Sequence, residues 1–143
     1  MTVNYDEQAN HYEETRNVIP LVYSTLIAII KPKANEKILD FGCGTGNYLL
    51  KLTTDYNIIP YGVEPSSVMR KIAAQKNPSA TIVEGNHEAM PINIQFDSIY
   101  CTDVIHHIDN LRILFLNLFK ISNYLKYQSL VPYCVFVQNP IVS

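Results

Sequence analysis

Three glycines at alternate positions, Gly42, Gly44 and Gly46, follow an apolar run, Lys37-Ile38-Leu39-Asp40-Phe41, and precede Leu49, Leu50 and Leu52. A strand that feeds a glycine-rich turn and then a helix is a cradle for a nucleotide-like ligand. Glycine turns the backbone tightly and leaves main-chain N–H groups unshielded by any Cβ. The ligand must lie across the turn, at the carboxyl ends of the strands. A tight turn with no ligand would not need three alternate glycines.

The spacing narrows the ligand. A dinucleotide fingerprint starting at Gly42 requires a glycine at position 47, where Asn47 stands, which argues against a nicotinamide-dependent oxidoreductase. A phosphate-binding loop needs Gly-Lys-Ser/Thr, and the nearest lysine is Lys51. Glu64 closes the next apolar run, at a position where a carboxylate accepts hydrogen bonds from both ribose hydroxyls. The combination points to a nucleoside without a pyrophosphate. Asp40 is either a ligand contact or a turn and cap residue. Glu64 as a merely solvated surface acid is the weaker reading, because the strand end places it at the crevice.

Further along, Asp103-Val104-Ile105-His106-His107-Ile108-Asp109 offers two histidines near Cys101. Adjacent residues do not share one helical face, so no metal site is expected. Either the histidines bond the local backbone or one of them, His106, lines an acceptor pocket as a general base.

These residues need a scaffold, and the chain supplies an alternation of short apolar runs with amphipathic stretches. A polar segment at 5–16 precedes a helix over 19–31, whose apolar face is Val22, Leu26, Ile29 and Ile30 and which Lys31-Pro32 ends. Strands are expected at 37–41, 58–63, 80–83 and 96–101. Helices are expected after the glycine turn, from a Ser66 or Ser67 cap to Asn77-Pro78, and from about 110 to 126. Strands separated by helices of this size predict right-handed crossovers and a doubly wound, mostly parallel α/β sheet. Residues 131–137 offer a fifth strand.

The bulk properties agree. At 143 residues the chain has the length of one domain, and its net charge of −2 carries no basic footprint for nucleic acid. Three widely spaced cysteines, Cys43, Cys101 and Cys134, form neither a disulfide framework nor a zinc pattern. An acidic, polar N-terminus is unlike a signal peptide, and the apolar stretch 19–30 is too short to span a bilayer. A cytoplasmic protein is expected, with no membrane association. All 13 acidic residues lie at or before Asp109, and after Arg112 the only charges are Lys120 and Lys126.

Together these pieces resemble one family. Ile38-Leu39-Asp40-Phe41-Gly42-Cys43-Gly44-Thr45-Gly46 is similar to the first motif of the Rossmann-like (class I) S-adenosylmethionine-dependent methyltransferases of small-molecule type. Tyr61-Gly62-Val63-Glu64-Pro65-Ser66 resembles their ribose motif, Val83-Glu84-Gly85-Asn86-His87-Glu88-Ala89-Met90-Pro91 their adenine segment, and Phe96-Asp97-Ser98-Ile99-Tyr100-Cys101 their fourth strand. Tyr5-Asp6-x-x-Ala9-x-x-Tyr12-x-x-x-Arg16 resembles their N-terminal cap.

The resemblance implies a role for each matched position. The loop at Gly42, Cys43, Gly44 and Gly46 passes under the methionine part of S-adenosyl-L-methionine, and Asp40 helps to hold its ammonium end. Glu64, followed by Pro65, takes the ribose. Asn86, where the family usually has aspartate, accepts from the adenine amine through its carbonyl oxygen, with His87 beside the ring; alternatively Asn86-His87 is an exposed turn. Thr102 lines the transfer site, and Tyr12 and Arg16 belong to a lid that excludes water. The implied reaction is in-line methyl transfer to a small-molecule acceptor, with a base needed only for a hydroxyl.

Residues 121–143 have no counterpart in that family and read as a shortened or out-of-frame end. The expected organisation is one methyltransferase domain over 1–143, with cap helices at 1–31, a cofactor-binding core at 36–120 and an atypical tail. A sheet incomplete on its C-terminal side leaves an exposed edge. The alternative function is therefore a non-catalytic S-adenosylmethionine-binding module whose edge an oligomer or partner covers.

Overall fold

The structure, a computed structural model, describes residues 17–102, 108–122 and 134–137. Its strands form one five-stranded sheet. β1 (Lys37–Phe41), β2 (Ile59–Val63), β3 (Thr81–Val83), β4 (Ser98–Thr102) and β5 (Cys134–Val137) stand in the order β3-β2-β1-β4-β5. Every pairing in it is parallel. Among the described residues, helix α1 (Pro20–Ile30) precedes the first strand, and α2 (Asn47–Tyr56), α3 (Ser67–Lys76) and α4 (Leu111–Ile121) lie between strands. The order of the elements is that of the expected α/β winding.

Both faces of the sheet are covered, which is why its strands read as continuous apolar runs rather than alternating ones. Ile38 and Tyr100 pack with Tyr23, Leu26 and Ile30 of α1 and with Leu49 and Leu52 of α2. On the opposite face Leu39, Phe41, Val63 and Ile99 pack with Leu114 and Leu118 of α4. The period of two along β1 divides its side chains between these two cores.

Local chemistry sets the helix ends. Pro20 occupies the first turn of α1, where its missing N–H costs nothing, and Lys31 closes the helix in the left-handed region at φ 46°. Ser66 caps α3 by accepting from the Met69 N–H at 3.3 Å. Asn110 caps α4 through the Ile113 N–H at 3.2 Å.

Three expectations need correction. In α1 Ile29 is 39% exposed, while Tyr23 is buried in its place. A tyrosine fits there because its hydroxyl leaves the core and donates to Asp55 Oδ2 at 2.6 Å. Helix α4 ends at Ile121 rather than continuing to 126; Ser122 is extended and returns its hydroxyl to the Phe119 carbonyl at 2.8 Å. Phe96 precedes β4 instead of starting it, bridging to Ser122 with its N–H on the Ile121 carbonyl at 2.8 Å.

Candidate functional site

The site begins at the carboxyl end of β1. The loop leaves the strand with Gly42, Gly44 and Gly46 at φ of 72°, 55° and 81°, a left-handed series that residues with a Cβ rarely adopt. Its shape is held mostly from outside. The N–H groups of Gly42 and Cys43 both donate to the Val63 carbonyl, at 2.7 and 3.1 Å. Glu64 Oε2 accepts from the Gly44 N–H at 2.9 Å, and its Oε1 accepts from the Ser66 N–H at 3.0 Å. Asn77 Nδ2, at the end of α3, donates to the carbonyls of Gly46 and Ala73 at 3.2 and 3.0 Å.

Asp40 lies one residue inside the strand, in register with Gly62 of β2 on one side and Tyr100 of β4 on the other. It is 2% exposed, so the turn and cap reading falls. Its Oδ2 accepts from the Tyr100 hydroxyl at 2.9 Å, while Oδ1 is buried without a hydrogen-bond partner among the described residues. Burial pushes the Asp40 carboxyl up to about 8; the Tyr100 hydrogen bond pulls it down and the nearby Glu64 carboxylate adds to the rise. Burial, with Asp40 and Glu64 beside it, also raises the Cys43 thiol, which therefore stays protonated and is no nucleophile.

Glu64 is 5% exposed, which removes the reading of a solvated surface acid. Its backbone is pinned too: Arg70 Nη1 donates to the carbonyls of Glu64 and Pro65 at 3.0 and 2.7 Å.

The adenine segment differs from expectation at Asn86. Its Oδ1 accepts from the N–H groups of Glu88 and Ala89, at 2.9 and 3.0 Å. Both lone-pair positions of that oxygen are thus engaged, and Asn86 builds a turn rather than presenting an oxygen to a ligand amine. The other half of the amide, its NH2, is a donor. A cavity of about 760 Å³ adjoins this turn, lined by Pro65, Gly85, Asn86, Met90, Ile92 and Asn117 among others. His87 is not among its lining residues; its carbonyl accepts from Asn117 Nδ2 at 2.9 Å, tying the turn to α4. Thr102 ends β4, in register with Val137 of β5. Tyr12, Arg16 and His106 lie outside the described residues.

The sequence reading missed Tyr100, Asn77 and Arg70. Tyr100 reads as one more apolar strand residue, and only its register opposite Asp40 shows its use. Asn77 was legible as a helix terminator before Pro78, and its side-chain role depends on the loop 31 positions earlier. Among the described residues no cluster of histidine, cysteine or acid could hold a metal ion. No described helix is long and apolar enough to cross a membrane.

A family profile described as a methyltransferase domain matches residues 39–122, from within β1 to the end of α4. An uncharacterized methyltransferase of Anoxybacillus flavithermus is 36% identical over 107 residues, covering 73% of this chain and 50% of that protein. The chain belongs to the methyltransferase domain family.

Solved structures carry the same architecture. A methyltransferase of Geobacter sulfurreducens, in complex with S-adenosyl-L-homocysteine, covers 95% of this methyltransferase domain chain and 55% of its own at TM-score 0.68 and 16% identity. Phosphoethanolamine N-methyltransferase 2 of Haemonchus contortus, holding phosphomonomethylethanolamine and S-adenosylhomocysteine, covers 82% and 30% at TM-score 0.71 and 20% identity. At these identities the likeness is one of Rossmann-like fold. The chain spans about half the length of the curated relatives it matches.

Proposed function

We propose that this methyltransferase domain binds S-adenosyl-L-methionine across the glycine loop and serves in-line methyl transfer to a small-molecule acceptor. The observation that carries the reading is the pair of buried carboxyl groups flanking that loop. Asp40 leaves one oxygen unpartnered among the described residues, and Glu64 is held by two backbone N–H groups. A buried acceptor without a partner is costly, and a cationic amino group is the ligand chemistry that relieves it. A nucleoside's ribose hydroxyls, as donors, suit a carboxylate such as Glu64 at the end of β2. The residues present therefore fit this cofactor.

When bound, the cofactor supplies a methyl group already activated by its sulfonium. The chain's task is alignment and exclusion of water. Asp40 and the loop orient the amino-acid end and Glu64 the ribose. Pro65 and the Asn86 turn border the base, with Asn86 offering its NH2 to a ring nitrogen. Thr102 is assigned to the transfer site, and Tyr12 and Arg16 to the lid over the cofactor. For a hydroxyl acceptor, His106 is assigned the proton.

A thermal melt of the full chain with S-adenosyl-L-homocysteine tests the reading. At a hundredfold excess over its dissociation constant the ligand adds about 2.7 kcal/mol, a rise in Tm of roughly 5–10 °C for a chain of this size. Glu64→Ala abolishes that rise. A cooperative melt that the ligand leaves unmoved would sink the proposal.

A further inference from the structure

Resting on the cofactor reading above, we propose that Asp40 is a neutral acid in the empty chain, that docking of a cationic amino group beside it expels its proton to solvent, and that Tyr100 is the positioning residue that sets the pH of this exchange.

The Asp40 carboxyl sits in the middle of a five-stranded sheet, in one row with Gly62 and Tyr100. From β4 the Tyr100 hydroxyl faces it; from the end of β2 comes the Glu64 carboxylate; from the glycine loop, the Cys43 thiol. From α1, Tyr23 reaches Tyr100. Helix α2 contributes Leu49 and Leu52 to the same core. Every one of these groups is neutral or anionic. Among the described residues none acting on Asp40 is a lysine, arginine or histidine. The Lys51 ammonium of α2 is engaged at the surface, 3.2 Å from Asp55 Oδ2.

A buried carboxylate with one oxygen unpartnered, another carboxylate nearby and no cation to balance it is an unfavourable arrangement. Protonation removes the charge. A docked ammonium reverses the balance, because it supplies both the missing donor for Oδ1 and the missing positive charge. The carboxyl O–H bond then breaks, its proton leaves to buffer, and the carboxylate formed accepts from the ammonium N–H. One proton is released per ligand bound.

Tyr100 acts through Asp40, not on the ligand. Its hydroxyl donates to Oδ2 and so favours the ionised carboxyl, which lowers the pH at which the proton can be expelled. A phenylalanine fills the same space among Tyr23, Leu26 and Ile38 without that donation. Packing is kept and the charge balance is not.

Two measurements on the full chain test this. In the empty chain, carbon-13 NMR of labelled aspartate carboxyls is expected to show one group titrating near 8, a signal that Asp40→Asn removes. Calorimetry with S-adenosyl-L-homocysteine, in buffers of different ionisation enthalpy at about pH 7, is expected to show roughly 0.9 proton released per ligand. The dissociation constant then falls about tenfold per pH unit from about pH 6 to about pH 8 and levels above. Tyr100→Phe keeps the slope and moves its upper end higher by about one pH unit, and Asp40→Asn flattens the profile.

Binding that is tight but indifferent to pH and buffer overturns the exchange and leaves the cofactor reading standing. No binding at any pH overturns both. An unshifted profile in Tyr100→Phe removes the role of Tyr100 alone. Should that variant not fold, the wild-type proton count still decides the exchange.

Discussion

Gly62 and Cys43 share one space: a Cβ built on Gly62 would stand 2.7 Å from Cys43 Sγ and 2.9 Å from Ile82 Cδ1. The bare backbone of β2 thus lets the glycine loop fold back over the strand. Gly62→Ala is expected to force the thiol and Ile82 outward and to destabilise the chain by about 1–3 kcal/mol, the usual cost of overpacking. Urea unfolding of the two chains measures it; equal midpoints would show that the loop can move aside freely.

Stability should also depend on pH through Asp40. Its folded-state value, about 8, lies above the ordinary aspartate value of 3.8. Between those two pH values the unfolded chain is ionised while the native one holds its proton. Its contribution is therefore full below about pH 4 and is lost as pH rises through about 8. The slope approaches about 1.4 kcal/mol per pH unit. Comparing unfolding free energies of wild type and Asp40→Asn across this window isolates it. A difference that stays constant with pH would contradict the assignment.

Gly46 holds a left-handed φ of 81°, and a Cβ there would meet Asn77 Nδ2 at 2.5 Å. Gly46→Ala is expected to cost about 1–2 kcal/mol from backbone strain alone, with a further loss as Asn77 is displaced. Asn77→Ala is expected to be milder, about 1 kcal/mol. The Gly46 and Ala73 carbonyls it abandons still accept the N–H groups of Leu50 and Asn77. Circular dichroism melts of the two variants check the order.

Both Cys43 and Cys101 are buried thiols, and Cys43 is held protonated by burial and its acidic neighbours. Iodoacetamide at about pH 8 is expected to leave both unmodified in the native chain and to label both in denaturant. Peptide mass mapping reads the result, and native labelling at Cys43 would mean that the loop opens.

Local patterns carried much of this site and long-range ones did not. The strand, the glycine turn and the helix over residues 37–56 are contiguous, so period and punctuation identify them, and with them Asp40. Glu64 follows in the same way from a strand end before a proline. Tyr100 is different: its partner is 60 positions away, and only the β1–β4 register shows that the two side chains share a row. Asn86 shows the converse limit. The residue type allowed a polar turn, but that its oxygen is taken up depends on two backbone N–H groups that no pattern specifies. Helix α4 stopped short of its apolar pattern because Phe96 takes the Ile121 carbonyl, a tertiary contact overriding propensity.

The conformation of the glycine loop is largely written elsewhere in the chain. Val63, Glu64 and Asn77 take up its hydrogen bonds, while the loop itself spans only residues 42–46. Transplanting the pentapeptide into a foreign scaffold would therefore carry the glycines without their geometry. The smallest portable unit runs from Lys37 through Asn77, two strands and two helices, and any chimaera cut inside it would inherit the motif and lose the site.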